Sequence, residues 1–190
     1  MNHANAVLFE WIAAWFAAAP WTLPLVRAAA VDSAYVVAAL AAWSFVRQPA
    51  QRRYIVFVLA ACGVTSLLSH YLAAVTGVSR PFVVGLSPLY ISHHPTGSLP
   101  SSHAAVLLLI ALLYCQRKPL RPFGMAMLVL ALVTGVARVC VGVHFPLDIA
   151  AGFLLAAVLA VLFRGVEHML RRHLETPAVR HALNGSGEGH

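Results

Sequence analysis

Long apolar runs, bounded by short clusters of arginine or lysine, take up most of this chain: residues 22–46, 54–76, 103–115, 122–143 and 147–163. A helical apolar stretch of about 20 residues matches the roughly 30 Å hydrocarbon core of a bilayer. In lipid every backbone polar group must find its partner within the protein, so such runs are expected to be helices. The charge content agrees, with 61% of residues hydrophobic and only 10% charged, where a soluble domain carries about 25%. The expected fold is all-α: a polytopic membrane helical bundle with about five transmembrane spans.

One transmembrane domain is expected over residues 1–173, with a polar, Gly-rich tail at 174–190 that reads as disordered and cytoplasmic. Residues 5–18 (NAVLFEWIAAWFAA) are apolar but too short to cross, and Pro20 follows them. They read as an N-terminal interfacial helix with Trp11 and Trp15 near the headgroups. A cleaved signal peptide is not expected, because no basic segment precedes the apolar stretch.

The net charge of +7 raises nucleic-acid binding as a function. Its distribution excludes that reading. The basic residues gather between runs, as Arg47, Arg52 and Arg53, then Arg117, Lys118 and Arg121, then Arg164, Arg171 and Arg172. Cytoplasmic loops carry such clusters under the positive-inside rule, and anionic lipid attracts them. Cys62, Cys115 and Cys140 lie in or beside apolar runs without CxxC or Cys/His spacing. They read as packing residues.

The clusters set the topology. If 47–53, 116–121 and 164–173 are cytoplasmic, five spans bring the 77–102 loop and the 138–148 segment together on the external face. The run at 103–115 is too short to cross. Either the helix extends through Ser101 and His103, or it begins below the membrane surface. Both alternatives put Pro100-Ser101-Ser102-His103 at a helix N-terminus, where free N–H groups and the dipole favour an anion.

Four pieces meet on that face: Arg80-Pro81, the Pro100–His103 segment, Arg138, and His144-Phe145-Pro146-Leu147-Asp148. Arginine suits phosphate because its planar fork donates two parallel charge-assisted hydrogen bonds. Arg80 and Arg138 can clamp one phosphoryl group, with the Ser101 hydroxyl and the Ser102 N–H as further donors. Pro146 favours a helix first turn, so Asp148 falls within reach of His144. Its carboxylate can accept the Nδ1 proton and leave the other nitrogen as a nucleophile. His103 is then the candidate general acid. An acid within the first span, Asp32, needs a partner. Arg27 is one candidate, and the external-face arginines are others.

The order RP, PSxH and R-x5-H-x3-D resembles the signature of the type 2 phosphatidic acid phosphatase superfamily. Here the three parts read SRPF (79–82), LPSSHA (99–104) and ARVCVGVHFPLD (137–148). Within that superfamily the chain is most similar to bacterial undecaprenyl-diphosphate phosphatases. The resemblance implies a metal-independent enzyme without cofactor, set in the bacterial inner membrane with its site facing the periplasm. It implies a polyprenyl diphosphate substrate, cleaved to undecaprenyl phosphate and phosphate. His144 would form a phosphohistidine, Asp148 would orient it, His103 would protonate the leaving group, and Arg80, Ser101, Ser102 and Arg138 would hold the phosphate.

Three positions depart from the family pattern. Ala73 stands where a lysine is usual, Ala137 replaces a serine, and Ser102 is the variable residue of PSxH. The first departure favours the undecaprenyl-diphosphate branch. Another lipid phosphate remains open as substrate: phosphatidylglycerophosphate, phosphatidate or lipid A. A different class of reading takes His93, His94 and His103 as metal ligands in a binding or transport protein. The loop offers them no acidic or thiol partner, and the chain shows no internal repeat. His93 and His94 read better as residues that line the pocket or tune access to it.

Overall fold

The computed structural model describes residues 3–17 and 19–174. The Trp15 side chain and the expected tail from residue 175 onwards lie outside that set. All regular structure among the described residues is helical. Three helices are long and apolar enough to cross a membrane: α4 (Arg52–Thr76), α6 (Arg121–Cys140) and α7 (Pro146–Leu174). A fourth candidate span is a bent pair, α2 (Leu23–Val31) and α3 (Ser33–Arg47), with 47° between them. The run expected as one straight first span therefore breaks at Asp32. Beside the break, the Ser33 hydroxyl donates to the Ala29 carbonyl at 2.8 Å, a back-bond that bends helices.

The third run forms α5 (Ser102–Cys115), whose 14 residues reach only about 21 Å. It begins at Ser102, capped by Ser101, rather than extending further towards the surface. It is apolar on every side, as a helix enclosed by protein must be. Leu109, Ala111, Leu113 and Tyr114 are fully buried, and α4, α6 and α7 pack around it. Its few polar neighbours are paired: the Tyr54 hydroxyl donates to the Leu113 carbonyl at 2.8 Å, and Ser44 and Tyr114 lie 3.1 Å apart.

The two ends of the bundle differ. At one end the α5–α6 connection meets α7, where Arg117 and Arg171 both pair with Glu167. The Arg117 guanidinium also lies 4.4 Å from the centre of the Tyr54 ring. Two of the basic clusters therefore converge there with the start of α4. The opposite end gathers the 77–101 loop and the 141–145 turn, as the topology requires. Phe82 N–H donates to the Gly142 carbonyl at 3.3 Å, and Gly142 takes φ +76°, where a Cβ would also strike Ser87.

The N-terminal helix α1 (His3–Ala17) lies across this second end. Trp11 is exposed, as an interfacial anchor would be, but Phe9 is fully buried. Its ring meets Phe145 edge-on at 5.4 Å, and Asn5 Oδ1 accepts from Leu147 N–H at 3.1 Å. The helix thus packs directly on the turn that carries His144.

Candidate active site

The loop after α4 is shaped by a close backbone approach. A Cβ at Gly97 would sit 1.8 Å from the Ala73 carbonyl oxygen, so only glycine lets the loop lie on α4 here. Folded this way, the loop wraps the Arg80 guanidinium. Its five N–H groups meet five acceptors: Nε the Thr96 carbonyl at 2.9 Å, Nη1 the Val143 carbonyl at 2.9 Å and His144 Nε2 at 3.1 Å, Nη2 the Gly97 carbonyl at 2.8 Å and Thr96 Oγ1 at 3.5 Å. Arg80 is buried and fixed. Burial lowers its guanidinium from the usual value, and the Asp148 charge opposes that shift.

Arg138 is built the other way. It is 2% exposed, and its Nη1 donates to the Ala30 carbonyl at 3.2 Å. That carbonyl sits at the end of α2, just before the bend. Nε and Nη2 are buried without a hydrogen-bond partner among the described residues. An orphaned buried donor costs about 1–3 kcal/mol, more if charged. Two on one guanidinium, side by side as in a bidentate fork, are able to donate to one oxyanion.

His144 and Asp148 are both buried. His144 Nδ1 lies 3.4 Å from Asp148 Oδ2 and 3.3 Å from the Ser98 hydroxyl. Ser98 in turn donates a short hydrogen bond to Asp148 Oδ2, which also accepts from Phe145 N–H at 2.8 Å. With Nδ1 turned to these oxygens and Nε2 facing an arginine N–H, the imidazole carries its proton on Nδ1 and its lone pair on Nε2. Burial pushes His144 well below the ordinary histidine value; the hydrogen bond to Asp148 opposes this, while Arg138 and Arg80 add to it. The ring is neutral at physiological pH.

These groups open on one cavity of about 310 Å³, lined among others by Arg80, Arg138, His144, His103 and Ser102. The two imidazoles at 103 and 144 thus face one space. Ser101 takes a different place: it is buried, its Oγ accepts from Ala104 N–H at 3.5 Å as the α5 cap, and its own N–H donates to the Asp148 carbonyl at 3.0 Å. It joins α5 to α7 and lies behind the cavity wall. Ser102 and His103 stand at the N-terminus of α5, where backbone N–H groups have no intrahelical acceptor.

His93 also lines the cavity, its ring edge-on to His144 with centres 6.2 Å apart, while His94 is exposed. Burial pushes His93 down to about 4, opposed by its hydrogen bond with the His94 carbonyl and reinforced by Arg80 and Arg138. His93, His94 and His103 do not assemble into a metal-ligating group among the described residues. Asp32 is exposed at the helix bend and forms no ion pair among the described residues, so it does not position Arg80 or Arg138. The first crossing reaches the site through the Ala30 carbonyl instead. Sequence reasoning misses Ser98, one residue outside the LPSSHA segment, because a serine in a Gly/Pro/Ser loop carries no periodic signal.

Residues 53–172 match the PAP2 superfamily. The chain belongs to that superfamily. PAP2 membrane proteins of this kind act on lipid phosphates, and this chain is a multi-pass membrane lipid phosphatase. Two bacterial relatives agree in name. BcrC of Bacillus subtilis, an undecaprenyl-diphosphatase, is 31% identical over 141 residues, 73% of this chain and 70% of BcrC. YbjG of Escherichia coli K12, provisionally an undecaprenyl-diphosphatase, is 29% identical over 184 residues, 93% of this chain and 91% of YbjG. The fold matches the crystal structure of a transmembrane PAP2-type phosphatidylglycerolphosphate phosphatase from Bacillus subtilis. The TM-score is 0.66 at 22% identity, over 88% of each chain.

Proposed function

We propose that this PAP2 protein hydrolyses undecaprenyl diphosphate to undecaprenyl phosphate and phosphate, recycling the lipid carrier of cell-wall export at the outer face of a bacterial inner membrane. The observation that carries the chemistry is the pair of orphaned Arg138 donors in one cavity with a neutral, Asp148-held His144. The relatives BcrC and YbjG, and alanine at position 73, support the substrate.

In this reading the terminal phosphoryl group sits on the Arg138 fork and the amides that open α5. Arg80 holds His144 Nε2 until substrate arrives; a phosphate oxygen then takes over that N–H. Nε2 attacks phosphorus, the bond to the bridging oxygen breaks, and His103 protonates that oxygen as it leaves. Asp148 and Ser98 stabilise the ring as it gains positive charge. Water, giving its proton to His103, then attacks the phosphohistidine and releases phosphate. Every role is filled by a side chain of this chain or its backbone.

The test is phosphate release from a polyprenyl diphosphate in detergent with chelator present. Wild type should turn over, and His144→Ala should lose at least about three orders of magnitude, as when a covalent nucleophile is removed. Turnover retained by His144→Ala rejects the nucleophile. A panel adding phosphatidylglycerophosphate, phosphatidate and lipid A should show preference for the polyprenyl diphosphate; equal or better rates on another lipid reject the substrate assignment.

A further inference from the structure

Two imidazoles on the cavity wall have no role in the mechanism above. His70 projects from α4 and His93 from the 77–101 loop, and both line the same cavity as His103, Arg138 and His144. His103 is within Coulombic reach of both as well as of His144. Each has its Nδ1 tied to a backbone carbonyl, His70 to Ser66 at 2.7 Å and His93 to His94 at 3.0 Å. That leaves Nε2 of each ring for a ligand.

The cavity of about 310 Å³ has the volume of about ten waters, more than one phosphoryl group needs. Its cations are unevenly placed. Arg80 and Arg138 stand beside His144, whereas α4 offers only Ser69, His70, Ala73 and Ala74. In the proposed mechanism the second phosphate of a diphosphate would lie beyond the bridging oxygen from His144, on the side from which His103 protonates that oxygen. No fixed positive charge on α4 faces it, since position 73 is alanine.

We propose that His70 and His93 hold the phosphate that stays with the lipid, and so make this cavity a diphosphate receptor rather than a monophosphate receptor. The proposal rests on the polyprenyl diphosphate reading. Both rings act as donors through protonated Nε2, taken up with the substrate. The cavity groups around them are Arg80, Arg138, His103 and His144; burial first, then Arg80, Arg138 and His94, oppose protonation of His93 in the empty site. Among the described residues no carboxylate lines the cavity, and Asp148 meets His144 from outside the lining. The incoming anion reverses that balance by neutralising the arginines. As the bridging bond breaks, its electrons pass to the retained phosphate, where the same two imidazoles meet the new charge while His103 supplies the proton.

The experiment compares kcat/KM for a polyprenyl diphosphate and the monophosphate of the same chain length, using full-length protein in detergent. Wild type, His70→Ala, His93→Ala, the double variant and His70→Gln are measured. The double variant should lower the diphosphate-to-monophosphate ratio at least about tenfold, the effect of losing a charged hydrogen bond, and His70→Gln should recover part of it. The wild-type ratio should fall as pH rises through the histidine range. As a check independent of turnover, inorganic pyrophosphate should raise the melting temperature of wild type more than phosphate does, and the double variant should lose that difference. An unchanged ratio and an unchanged pyrophosphate difference in the double variant overturn the proposal. Wild type that cleaves only the monophosphate overturns the underlying substrate reading, and the two failures are therefore distinguishable.

Discussion

At the scale of the residue, the two site arginines have opposite economies. All five Arg80 N–H groups are satisfied by the protein, so Arg80 fixes the 77–101 loop and the His144 ring in place. Arg138 keeps two buried donors unpaired among the described residues, a destabilisation of the empty protein that the proposed phosphate site would offset. Replacing it with methionine should therefore separate stability from function. Arg138→Met should melt higher than wild type in detergent, by the equivalent of about 1–3 kcal/mol, and should neither turn over nor be stabilised by orthovanadate. Arg138→Lys, which keeps charge but loses the fork, should bind vanadate at least about tenfold more weakly. Melting curves with and without vanadate decide this; a large destabilisation in Arg138→Met would show that the guanidinium holds the fold rather than waiting for a ligand. The residue types were legible in sequence because intramembrane charge is rare and must be explained. Their division of labour was not, since it depends on carbonyls of Thr96, Gly97, Val143 and Ala30 that no local pattern reveals.

At the scale of the element, the site depends on helices that end early. α5 is only 14 residues long, and its cap Ser101 is fixed to Asp148 on α7. A Cβ at Gly152 would come within 2.6 Å of the Ser101 carbonyl, so a glycine on α7 permits that contact. Gly97 does the same for the loop against α4, at a still shorter distance and against backbone, which cannot rotate away. Gly97→Ala should displace Thr96, Gly97 and Ser98 together. The Arg80 cradle and the Ser98 bond to Asp148 would be lost with them. The expected result is a destabilisation of about 1–3 kcal/mol, the range for overpacking, with turnover lost well below the melting temperature. A Gly97→Ala protein with wild-type melting and kinetics would mean that the loop does not rest on α4. The shortness of the 103–115 run already announces a short helix, because length in lipid is a hard constraint. The bend at Asp32 carries a weaker signal. An acid and a serine in mid-run mark a break as readily as a buried ion pair, and only packing against α6 shows which.

At the scale of the whole molecule, exposed positive charge gathers at one end, with Arg27 on α2 the exposed exception towards the other, where the site arginines are sequestered. Arg47, Arg52 and Arg53, with Arg121, Arg164 and Arg172, are exposed, whereas Arg80 and Arg138 are buried within the site. Loop charges near span ends decide which face stays cytoplasmic, and buried arginines folded into a cavity add nothing to that count. The site end should therefore face outward, as the proposed recycling of a carrier lipid requires. Cysteine labelling tests this directly. Cys62, Cys115 and Cys140 are replaced by alanine or serine, and single cysteines are placed at the exposed positions His94 and Arg53. In intact cells a membrane-impermeant maleimide should label His94→Cys and leave Arg53→Cys unlabelled until the membrane is opened. The opposite pattern would put the cavity in the cytoplasm, where the chemistry of His144 and Arg138 would stand but a recycling role at the outer face would not.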